Sequence, residues 1–182
     1  MEQNGPWAAQ GINCKAGIVS LLFDPYSELI VAHVNKLIAE NFALKSLYAR
    51  RPAEERYKLL TPASETLSYE NVVLSPTGSA MFVSIFESFV GGGQDWHSLQ
   101  KIELPSGKII SELKWGDLEP RVRNFYSPWI ASIVRVDNDG ETLYVRLAIP
   151  RENETKLRYY LAKLRPEKRQ YEVITELSGG CL

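Results

Sequence analysis

Three times along the chain the sequence repeats one pattern: an apolar β-type run, a tight polar turn, a second such run, a variable stretch, then two further runs about a second turn. The first turns read Asp24-Pro25-Tyr26-Ser27, Ser75-Pro76-Thr77-Gly78 and Asp137-Asn138-Asp139-Gly140, and the second turns begin at Pro52, Pro105 and Pro166. Both sets of anchors recur every ~50 to 60 residues, a period that marks units of four short strands, each burying its faces only against its neighbours. The spacing predicts an all-β chain of three four-stranded antiparallel, blade-like units over 14–61, 68–115 and 128–177, forming one domain over 1–182.

In the first unit the strands are expected near 17–23, 29–35, 44–50 and 56–61. In the second, Leu104-Pro105-Ser106-Gly107-Lys108 joins the last two strands with good hairpin chemistry, because proline fixes φ and glycine accepts a positive φ without steric cost. The third unit carries the clearest hairpin, 133–148, and a later pair, 157–164 and 170–177, joined across 165–169. One segment has a competing pattern. Ile30, Val34, Leu37, Ile38 and Phe42 stand at roughly helical spacing, so the alternative fold is α+β with a helix near 28–48. The strand reading keeps only a helical turn, over 36–41. An ordinary β-sandwich or mixed domain would also show short strands at this spacing.

The turns resemble those of TolB-like and WD-repeat-like β-propeller blades, whose repeat sets a Ser-Pro-Asp-Gly-like turn between its first two strands. Leu74-Ser75-Pro76-Thr77-Gly78 matches it with threonine in place of aspartate, and Phe23-Asp24-Pro25-Tyr26-Ser27 and Val136-Asp137-Asn138-Asp139-Gly140 are looser copies. The resemblance extends over roughly four-fifths of the chain and rests on a structural turn, so it implies a fold and no activity. The departure is the number of units, since a closed propeller usually has about four to eight blades. Three units imply a fragment, a ring completed by a second copy (a homodimer), or blades arranged otherwise.

Composition narrows the partners. With 21 basic against 22 acidic residues the net charge is −1, which gives no global field for nucleic acid or anionic lipid. Neither is an expected partner, and no apolar run is long enough to span a membrane. Cys14 and Cys181 are the only cysteines and read as free thiols, neither a disulfide framework nor a zinc cluster. Residues 1–10 are polar and show no secretory leader, so the expected location is cytoplasmic.

No catalytic constellation stands out. Only His33 and His97 are present as imidazole bases, there is no Gly-x-Ser-x-Gly elbow, and His33 sits in an apolar strand context. Gly91-Gly92-Gly93 lacks the Lys-Ser/Thr and the helix of a phosphate loop. Asp137-Asn138-Asp139-Gly140-Glu141 starts like a calcium loop, but its twelfth position is Ala148 where a glutamate is needed. No cofactor or metal is expected. The carboxylate pairs Glu54-Glu55 and Asp137/Asp139 read as solvated turn chemistry.

In a four-stranded meander the connection between strands two and three and the link to the next unit emerge at one end, while the tight hairpins emerge at the other. The long connections, 36–43, 87–97 and 150–156 within units and 62–67 and 116–127 between them, all fall at the first end. Binding residues concentrate on such loops. The candidate site there comprises Gln94, Asp95, Trp96 and His97 beside the glycine run, with the aromatic cluster Phe125, Tyr126 and Trp129. The opposite end carries Arg50, Arg51, Arg56, Lys108, Arg165, Lys168 and Arg169 interleaved with Glu54, Glu55 and Glu167, which reads as a salt-bridged solvated surface. The functional expectation is a non-enzymatic interaction or scaffold module that binds a protein or polymer through its long-loop end. Two other classes stay open: an accessory or gating fragment of a hydrolase or peptidase, and a small-ligand or carbohydrate binder.

Overall fold

The computed structural model describes residues 16–24, 28–39, 42–61, 67–87, 96–114, 117–118, 129–149 and 158–177. They form three four-stranded antiparallel meanders in chain order. The first sheet is β1 (Ala16–Asp24), β2 (Leu29–Ala39), β3 (Phe42–Arg50) and β4 (Lys58–Leu59). The second is β5 (Leu67–Leu74), β6 (Ala80–Glu87), β7 (Trp96–Glu103) and β8 (Ile109–Lys114). The third is β9 (Trp129–Val136), β10 (Leu143–Ile149), β11 (Arg158–Arg165) and β12 (Gln170–Leu177), with a 3-10 turn at Pro166–Lys168 between its last two strands. The fold is all-β and built of three blade-like units; among the described residues no α-helix occurs.

The helical alternative near 28–48 is overturned by the pairing of β2 with β3, in which Ile30 faces Arg50, Ala32 faces Tyr48 and Val34 faces Ser46. The expected helical turn over 36–41 is corrected as well, since β2 runs to Ala39, opposite Phe42; residues 40–41 lie outside the described residues. In the first unit the fourth strand is shorter than its alternating sequence predicts. Only Lys58 and Leu59 pair, with Ala49 and Tyr48.

The first turns of the second and third units are built alike. Ser75 N donates to Ala80 O at 2.8 Å and Gly78 N to Ser75 O at 2.9 Å; Asp137 N donates to Thr142 O at 2.7 Å and Gly140 N to Asp137 O at 2.9 Å. Gly78 and Gly140 sit at φ of 68° and 70°, where a side chain would be strained. Gly140 also lies against the neighbouring turn, where an added Cβ would stand 3.0 Å from Ser75 Oγ.

The core lies between the sheets. Leu29, Val31, Leu47 and Ala49 of the first sheet pack on Tyr69, Met81, Val83, Ile85 and Ile102 of the second. The other face of the second sheet, through Phe82, Leu99 and Leu113, packs on Ile133, Leu143, Val145, Leu147, Ala162 and Leu164 of the third. β6 is covered on both faces, which is why it reads as a nearly continuous apolar run. Lys101 also spans the second and third sheets, with Nζ 3.7 Å from Glu167 Oε1.

Candidate functional site

A cleft of about 380 Å³ lies on the second sheet's face toward the first, at the end of β6 near Glu87 and of β7 near His97. Each strand of the second sheet contributes to it: Leu67 from β5, Ile85 and Glu87 from β6, His97, Ser98 and Gln100 from β7, and Glu112 and Lys114 from β8. Register puts most of these on one face. Leu67 pairs with Glu87, Ile85 with Ser98, Ser98 with Lys114 and Gln100 with Glu112, and positions two apart on a strand share a side.

At the hairpin end the sheets meet through large apolar side chains. Among the described residues, however, β4 pairs only with Tyr48 and Ala49, so no described fourth-strand residue of the first sheet stands opposite Glu112 and Lys114. The outer strands of the second sheet carry polar side chains there, Gln100 on β7 and Glu112 and Lys114 on β8.

Those groups are linked to one another. Gln100 Nε2 donates to Glu112 Oε1 at 2.9 Å, and Lys114 Nζ lies 3.7 Å from Glu112 Oε2. Glu112 thus orients an amide and an ammonium at the outer edge of the cleft, while Glu87 adds a second carboxylate on β6. The His97 ring leans on Phe86, with centroids 4.7 Å apart and planes 59° apart. The arrangement offers hydrogen-bond donors and acceptors along a line across three strands, β6 to β8, a length of about 10 Å at the usual strand separation.

Of the expected site residues, Gln94, Asp95, Phe125 and Tyr126 lie outside the described residues. Trp96 and His97 belong to β7 and not to a connecting loop, because Glu87 pairs with Trp96 and Phe86 with His97; the expected loop over 87–97 is thereby shortened to 88–95. His97 borders the cleft. Trp129 opens β9, paired with Ala148. Gln100, Glu112, Lys114, Ser98 and Glu87 were missed, and the signal for them was faint: polar residues at 98 and 100 and again at 112 and 114, two short alternations that meet only once the hairpin register is known.

The incipient calcium pattern has another role. Asp139 accepts from Thr142 N at 2.8 Å, from Glu141 N at 2.9 Å and from Thr142 Oγ1 at 2.6 Å. Those hydrogen bonds, Thr142's first, lower its pKa from 3.8 to about 2. Among the described residues no group of three or more histidine, cysteine, aspartate or glutamate side chains is placed to hold a metal ion, and no helix is long and apolar enough to cross a membrane.

Compared with protein-family models and with curated proteins, the chain matches none. Function has to be read from the chemistry of the cleft.

Proposed function

We propose that the protein is a non-enzymatic interaction module that holds an extended segment of a protein or other polymer in the cleft at the long-loop end of its second sheet. The observation that carries this reading is the run of polar groups across β6, β7 and β8, with Gln100, Glu112 and Lys114 already held in a hydrogen-bonded set. A polar line of about 10 Å accommodates about three extended residues, and pre-oriented side chains reduce the ordering cost of binding. With Glu87 and Glu112 against Lys114, the cleft suits a segment that brings amide donors or a single cation.

The test is selection from a random peptide library displayed against the full chain, followed by affinity measurement on Glu112→Ala and Gln100→Ala. Binding is expected to weaken about tenfold or more in Glu112→Ala, where Gln100 and Lys114 lose their shared partner. Peptides whose affinity is indifferent to both substitutions would place the recognition surface elsewhere. The volume of the cleft also falls in the range of ~300 to 1,000 Å³ typical of small-molecule sites, which supports a carbohydrate or other small-ligand reading as the second choice. A rise in melting temperature with a monosaccharide or amino-acid panel, with no peptide selected, would favour it.

A further inference from the structure

The face of the third sheet turned away from the second breaks the pattern set by the first two sheets. Asp24 pairs with Leu29, Ser75 N donates to Ala80 O and Asp137 N to Thr142 O, so Leu29, Ala80 and Thr142 hold one position. Two places on stand Val31, Phe82 and Tyr144, and four places on stand His33, Ser84 and Arg146. In the first two sheets this row faces the following sheet: Val31 and Phe82 belong to the apolar layers, and His33 and Ser84 are only 5% and 2% exposed. In the third sheet the row holds Tyr144 and Arg146, both partly exposed, and among the described residues no further sheet follows.

Register fixes the surroundings of Arg146. It pairs with Ser132 on β9 and Leu161 on β11, and Tyr144 lies two residues before it on the same side of β10. Its guanidinium stands 4.5 Å from the Tyr159 ring, as that of Arg135 stands 4.4 Å from the Tyr144 ring. The other cations of this face have carboxylates at hand, since Arg135 Nη2 is 4.0 Å from Asp137 Oδ1 and Lys163 pairs across the ladder with Glu172. Arg146 differs from both. Among the described residues no carboxylate pairs with it, and its Nε is buried without an acceptor. A cation stripped of water on one side costs stability unless an anion offsets it. An apolar side chain of similar length would cover Tyr159 without that cost.

We propose that this face is a docking surface for a protein partner, in which Arg146 receives one aspartate or glutamate side chain of an extended partner segment while Tyr144, Tyr159 and Leu161 meet apolar side chains beside it. The occupant is argued from charge. Asp137 and Glu172 at the rim would repel the successive phosphates of a nucleic acid, so the face accepts a single negative group at its one uncompensated cation. On an open sheet face one arginine holds a small anion weakly, and the remaining affinity comes from apolar contacts that a larger partner brings. The surface lies on the third sheet and the cleft on the second sheet's face toward the first, so this proposal stands or falls apart from the one above.

Two displayed peptide libraries test it against the full chain, identical except that one fixes glutamate and the other glutamine at the central position. Enrichment is expected from the glutamate library alone. Affinity for the selected peptides should fall about tenfold or more in Arg146→Met, fall less in Arg146→Lys, and stay unchanged in Glu112→Ala. Thermal unfolding separates docking from a structural role, because Arg146→Met removes the orphaned donor and keeps the stem, and should melt no lower than wild type. No enrichment from either library, equal enrichment from both, or selected peptides indifferent to Arg146→Met would overturn the proposal. So would a loss of binding in Arg146→Met that comes with a lower melting temperature, which would assign the arginine to the fold.

Discussion

At the first turn of the third unit, the Asp139 carboxylate accepts three hydrogen bonds from Glu141 and Thr142, and it does so while exposed to solvent. Water competes for every one of these bonds, so the net effect on stability is modest even though the effect on protonation is large. Because the folded pKa is depressed below the unfolded value of 3.8, the contribution is fully present above that value and disappears as pH falls through about 2. An NMR titration of the side-chain carboxyl should therefore show Asp139 among the last carboxylates to protonate. Asp139→Ala is expected to cost about 1 kcal/mol at neutral pH. Its stability should also decline less than wild type between pH 4 and 2, within the window that the shift from 3.8 to about 2 defines. Equal acid slopes for the two proteins would show that these bonds do not distinguish the folded state. The neighbouring Gly140 limits substitution differently, since its φ of 70° strains any side chain and a Cβ would crowd the Ser75 Oγ at 3.0 Å.

Hairpins and strands dock on one another across the units, and Gly107 shows how tightly. At φ of 75°, a Cβ there would stand 2.8 Å from Leu60 O, a backbone atom of the first unit. Gly107→Ala therefore combines backbone strain with a displaced contact, and a loss of about 1 to 3 kcal/mol is expected in urea unfolding. The hairpins were legible in the sequence because turn chemistry is local: Pro105, Gly107 and the Asp137 to Gly140 run name their own geometry. The helical pattern at Ile30, Val34 and Leu37 was misleading for a physical reason. From Val31 to Val34 β2 is buried on both faces, so apolar residues occupy both parities and a helical subset arises by coincidence. The fourth strand of the first unit was overestimated because alternation does not reveal where a chain leaves its ladder. Leu60 N and Thr61 N both donate to Leu47 O, at 2.8 and 3.4 Å, while Thr61 Oγ1 accepts from Leu47 N at 3.0 Å. The hydroxyl takes the place of a backbone acceptor, and the regular ladder ends. The cleft was less legible still, because Gln100 meets Glu112 only through the register that the 104–107 turn imposes.

For the whole molecule, stability is divided between two apolar layers that share the second sheet. Met81 and Phe82 are consecutive, essentially fully buried, and belong to different layers: Met81 to the one shared with the first sheet, Phe82 to the one shared with the third. A series of sheets that touch only their neighbours behaves as a set of local stabilities joined by interface energies. Truncation of either side chain in a packed layer costs roughly 2 to 5 kcal/mol. Met81→Ala is therefore expected to reduce amide protection most in β2 and β3, and Phe82→Ala most in β10 and β11, although the substituted positions are adjacent on one strand. Hydrogen exchange read strand by strand separates the two patterns. A uniform loss across all three sheets in both variants would mean that the interfaces are strong enough to make the chain one cooperative unit. The layered division would also make the end sheets the first to open, where Leu21, Phe23 and Leu59 remain half exposed at one end and Val173 and Ile174 at the other. Protection in β1 and β12 should consequently be lower than in β6 in the wild-type protein.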